Sequence, residues 1–137
     1  MSVLEEGLAS YLINDDDMDD LVDGRVYPLR IPQGATIPCL TYQRISTPRI
    51  STHDSSGSSG DLTSPRFQFD AWAETLSEAK EIVDALRAAL NGKTGTIGEA
   101  PNQVTISGAL AENEVPEYDP DIKLYRGRSD YIIWIEE

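Results

Sequence analysis

Cysteine is all but missing from this chain. Cys39 is the only one in 137 residues, so no intrachain disulfide forms and no oxidising compartment is needed. Histidine is equally scarce, with His53 alone. One histidine and one cysteine cannot supply a zinc site. Long apolar runs are absent too. The longest, Tyr131 to Ile135, falls far short of the roughly 20 residues that span a bilayer. Bases are few: 11 Lys+Arg stand against 24 Asp+Glu, a formal net charge of −13. That balance argues against attraction to DNA, whose binding rests on neutralising phosphates. It also argues against anionic membrane surfaces. The first 24 residues hold eight acids and no base, so no signal peptide is expected.

What is present suits one globular domain over residues 1–137, with 39% hydrophobic residues to build a core. The charge lies in blocks. Residues 25–50 carry four arginines (Arg25, Arg30, Arg44, Arg49) and no acid, whereas residues 111–137 carry eight acids and three bases. Such blocks suggest surfaces of opposite sign that could meet between copies. The plainer reading is a set of solvated faces.

Periodicity orders the elements. Ser2 and Glu5 suit a capping box, and Val3, Leu4, Leu8, Tyr11 and Leu12 share one helical face. Asn14 and the Asp run end that helix, and Met18, Leu21 and Val22 suit one more turn. Arg25 to Leu29 is a short strand, placed at an edge by Pro28. A Pro/Gly loop leads to a long strand from Cys39 to about Ile50. A second long strand runs from Arg66 to Ala73, with Phe67, Phe69, Ala71 and Ala73 on one side and Gln68, Asp70 and Trp72 on the other. Between them, a mobile loop over about residues 52–64 makes the pair a long-tipped hairpin. Thr75 and Glu78 open a second helix with an apolar stripe from Leu76 to Leu90, ended by Asn91-Gly92. Val104 to Leu110 is a strand with Val104, Ile106 and Leu110 on one face. Pro116 and Pro120 mark a turn, and Ile122 to Arg126 with Tyr131 to Ile135 form a strand pair or one long bulged strand. The order α-β-β-β-α-β-β predicts an α+β domain: a mostly antiparallel sheet with two helices packed on one face.

Catalytic chemistry finds little support. His53 sits among serines and glycines, where groups are not held to catalytic tolerance, so a solvent-exposed loop histidine is the simpler reading. Cys39 opens a strand and reads as a small buried hydrophobe. Asp15, Asp17 and Asp19 match the first three ligand positions of a calcium loop, but Asp20 stands where glycine belongs and Val26 where glutamate belongs. A solvated, helix-ending turn is the default for that run. No phosphate-cradling glycine loop is present, and Trp72 and Trp134 lack the basic neighbours of a single-strand binder. No cofactor is implied, and the chain reads as non-enzymatic.

The middle of the sequence resembles the tail-completion proteins of long-tailed bacteriophages, also called tail terminators or head–tail joining proteins. The resemblance is carried in order by Val26-Tyr27-Pro28, Pro32-Gln33-Gly34, Pro38-Cys39-Leu40-Thr41-Tyr42, a polar loop with His53, Phe67 to Ala73, and the Ala/Leu-rich stretch Leu76 to Leu90. It covers about residues 1–92, and beyond them only the order of elements matches.

That resemblance implies a structural virion protein, assembled in the bacterial host cytoplasm into the tail and neck. It implies a homohexameric ring on the head-proximal end of the tail tube, touching the tube protein and the head's connector or stopper, with DNA passing through unbound. A ring needs a patch on each subunit that fits a different patch on the next. The candidates are Arg25, Arg30, Arg44 and Arg49 against Asp15, Asp17 and Asp19. The stretch His53, Asp54, Ser55, Ser56, Gly57, Ser58, Ser59, Gly60 and Asp61 is the candidate partner-contact loop. Two other readings stand beside this one: a head-completion or neck adaptor, and an acidic DNA-mimic inhibitor.

Overall fold

The computed structural model describes residues 3–46, 62–98 and 103–136. In chain order these form α1 (Val3–Ile13), α2 (Asp16–Val22), β1 (Val26–Pro28), β2 (Cys39–Ser46), β3 (Leu62–Thr63), β4 (Arg66–Ala73), α3 (Leu76–Leu90), β5 (Gly95–Ile97), β6 (Val104–Ile106), β7 (Gly108–Asp119) and β8 (Leu124–Glu136). The main sheet runs β1-β2-β4-β8, with β7 on the far side of β8 and β3 pairing the last residues of β8. All pairings in it are antiparallel except β1 with β2. The expected α+β class and the β2–β4 pairing are therefore what the chain forms.

Strand alternation decides which face is covered. Leu40, Tyr42, Phe67, Phe69, Ala71, Tyr131 and Ile133 share one side and join Leu4, Leu8, Leu12, Ile82, Leu86 and Leu90 in a single core. Phe69 stands edge-on to Tyr131 with ring centres 5.6 Å apart, a favoured aromatic geometry. Tyr11 ties the two long helices by donating to the carbonyl of Ala89 at 2.6 Å. The opposite face carries Gln68, Asp70, Arg128 and Asp130 in adjacent rows.

Helix α3 starts where its cap says it should: Thr75 accepts from the Glu78 amide at 3.2 Å. It lies close against β8 because Gly127 has no side chain. A Cβ there would stand 2.5 Å from Val83 Cγ2 and 3.4 Å from the Ala79 carbonyl.

Three expectations need correction. The turn expected around Pro116 and Pro120 is only a turn at residues 120–123; Pro116 lies inside β7. An edge strand tolerates proline because its outward amide has no ladder partner. The strand expected over 104–110 is two strands broken at Ser107, whose amide donates to the Trp134 carbonyl at 2.7 Å. The break shifts the alternation, so Ala109 is buried and Leu110 is exposed. The loop expected over about 52–64 ends sooner, because Leu62 and Thr63 pair with Glu136 and Ile135, where β8 outruns β4. Trp72 keeps the expected side with Gln68 and Asp70 and is covered there: its Nε1–H donates to Thr41 Oγ1 at 3.0 Å and its cross-strand neighbour Arg126 lies 5.2 Å over its ring. Strand β5 and the helix α2, longer than one turn, add to the expected order. Ser2, residues 47–50 and the stretch His53 to Asp61 lie outside the described residues.

Candidate assembly surface

The charge blocks resolve into particular partners. Arg44 donates to Glu5 Oε1 at 2.7 Å and lies 5.4 Å over the Phe67 ring. Arg25 donates through Nε to the Pro38 carbonyl at 2.8 Å and stands 3.6 Å from Asp23. Arg30 is exposed on the loop after β1. Arg49 falls outside the described residues. Within one protomer, then, Arg25 and Arg44 already have acids, and Arg30 is the described arginine of the block presented outward.

The acidic run is a short capped helix. Asp15 accepts from the Met18 amide at 3.1 Å, and Asp16, Asp17 and Asp19 occupy the first turn of α2. Acids suit that end of a helix, where amide dipoles are unpaired. Met18 and Val22 anchor the helix in the core, so Asp16, Asp17, Asp19 and Asp20 form an exposed ridge. Among the described residues no group of three His, Cys, Asp or Glu is placed to hold a metal ion. Cys39 is fully buried, and burial pushes its thiol up to about 11, which suits packing rather than chemistry.

Three of the C-terminal acids are also paired. Glu112 takes Arg66 at 2.8 Å, Glu114 takes Arg87 at 2.6 Å, and Glu117 takes Arg126 Nε at 3.0 Å. On the open sheet face Arg128 donates to Asp70 at 3.1 Å. Burial pushes the Asp70 carboxyl above its ordinary range, and the Arg128 bond and charge partly offset that.

Two apolar features escaped the sequence reading. Leu29 is 72% exposed, the highest of the large exposed hydrophobic residues described. Its φ is 68°, a left-handed backbone that leucine seldom adopts. The position is pinned on both sides: the Leu29 amide donates to the Tyr42 carbonyl at 2.8 Å, and the Arg30 amide donates to the Pro28 carbonyl at 2.7 Å. The latter closes a three-residue turn, a strained kind when its central φ is positive. Only the Pro28-Leu29-Arg30 triplet hints at it in sequence. The second feature is a groove of about 250 Å³ between α3 and the β7–β8 hairpin. Leu76, Ala79 and Val83 form one wall, Val115 and Pro116 the other, over Gly127. Its polar lining is Lys80, Asp84, Glu114 and Arg128. Finding it needed the β7–β8 hairpin, which the proline reading had replaced by a turn.

The fold and sequence both have known counterparts. The model of the family described as tail completion protein gp17 matches residues 6–136. Among solved structures, a chain of the virion of native gene transfer agent (GTA) particle superposes with a TM-score of 0.66 at 16% identity, covering 99% of this chain and 92% of that one. No individually curated protein matches the chain. The match spans nearly the whole sequence, from α1 to the end of β8. The chain belongs to the tail completion protein gp17 family and is a structural protein of the phage tail.

Proposed function

We propose that this protein closes as a ring on the head-proximal end of the tail tube, stops its growth, and joins the tail to the head. The family match over residues 6–136 carries this reading. The surface supports it. A net charge of −13 and the exposed carboxylates of α2 suit a conduit that DNA passes through without sticking. Arg30, Asp17 and Asp19 are the described charged candidates presented outward for a neighbouring protomer. The stretch His53 to Asp61 is the proposed contact for the tube or the connector.

Negative-stain images of the purified protein mixed with tail tubes test the reading directly. Rings capping one end of the tubes are expected; bare tube ends at saturating protein would refute it. Arg30→Glu is the matching variant, expected to lower capping while leaving the fold intact. Arg44→Glu is unsuitable, because it would set a second carboxylate against Glu5 at the 2.7 Å contact.

A further inference from the structure

The two apolar features lie on opposite edges of one sheet. Leu29 follows β1 at one edge, and the α3/β7 groove lines the other. Four strand spacings separate those edges, about 19 Å. A heterologous contact that closes a ring needs two different, well-separated patches on each copy. We infer that the Leu29–Arg30 turn of one protomer seats in the α3/β7 groove of the next, with Leu29 against Leu76, Val83 and Pro116 and Arg30 beside Glu81 and Asp84. This rests on the ring reading above and names its subunit contact. It gives Arg30 a partner on α3 rather than on the acidic α2.

Three observations support the assignment. First, the fit: a groove of about 250 Å³ has room for a leucine side chain, and its walls are mainly apolar. Second, the charge: Arg30 is exposed beside the knob, Glu81 is exposed on α3 in a neighbouring hollow that shares Leu76, Lys80 and Asp84 with the groove, and the Asp84 side chain, although it accepts from Arg87 at 2.9 Å, is still 64% exposed. Lys80 and Arg128 also line the groove, but Arg128 is held by Asp70 and Glu117. Third, the strain: a leucine held at φ 68° in full view of solvent is costly for a lone protomer and is fixed by two backbone hydrogen bonds. An anchor fixed in advance loses little freedom when it docks.

The test reads oligomer mass by native mass spectrometry of the full chain, with tail tubes added in a parallel arm. Leu29→Asp and Leu76→Asp should each replace the ring by single chains. Both sites are exposed, and an acid at Leu76 opens a helix, so thermal melts should stay near wild type. Leu29→Gly removes the knob and relieves the positive φ; it should melt no lower than wild type and still lose the ring. Losing one buried leucine should weaken the contact about 10- to 100-fold. Mixing the two Asp variants leaves one intact knob facing one intact groove. A one-to-one dimer that grows no further is expected. Rings formed by Leu29→Gly, or a mixture that stays monomeric, would overturn the contact while leaving the ring reading standing. Wild-type protein that stays monomeric both free and on tubes would overturn the ring reading and this contact with it.

Discussion

Asp70 shows how much a single residue's surroundings decide. Its carboxyl is pushed up mainly by burial, and the hydrogen bond and charge of Arg128 pull the other way. The folded group therefore holds its proton to a higher pH than the unfolded one. Its share of stability grows as the pH falls through that range and is lost as the pH rises, the reverse of an ordinary ion-paired acid. Carbon NMR should find Asp70 titrating above the usual aspartate value, and Arg128→Gln should move it higher. A midpoint at the ordinary value would refute this. The sequence marked Asp70 only as a polar strand position; its partner Arg128 lies 58 residues away, a distance that no local pattern spans. Cys39 was easier to read. A cysteine opening an apolar strand is buried for the same reason that valine would be.

At the scale of the element, legibility followed the strength of local signals. The α3 cap and stripe and the β4 alternation were readable because neighbours within a few residues specify them. The hairpin of β7 and β8 was not. Its strand β7 is rich in Glu, carries Pro116, and has an extra residue between Ala111 and Asn113, so its period is broken. What fixes it is the register with β8, a tertiary property. The close packing of α3 on β8 has a direct test. Gly127→Ala should destabilise the protein by about 1–3 kcal/mol, the cost of overpacking a filled contact. Adding Val83→Ala should return part of that loss, since Val83 Cγ2 is the atom the new methyl meets at 2.5 Å. Equal melting temperatures for wild type and Gly127→Ala in calorimetry would show that the helix simply moves away.

Over the whole molecule, the net charge of −13 at first only excludes partners. The structure then divides it. The described arginines Arg44 and Arg126 pair with Glu5 and Glu117 inside one protomer, while the surplus of acids, the ridge on α2 among them, stays exposed. Copies brought together therefore repel each other, while an apolar contact between them is not weakened by salt. Raising ionic strength from about 0.01 M to about 0.15 M shortens the screening length from roughly 30 Å to 8 Å. Light scattering should then show a larger share of ring, and a ring that dissolves over this range would contradict an apolar anchor. The β7 edge has its own bearing on assembly. Its proline, its extra residue and its carboxylates refuse another strand, so neighbours on that side cannot extend the sheet by main-chain pairing. They must meet through side chains. A ladder of amides would tolerate slippage and unlimited growth. Interlocking side chains set an angle between one copy and the next, and the angle is what counts the members of a closed circle.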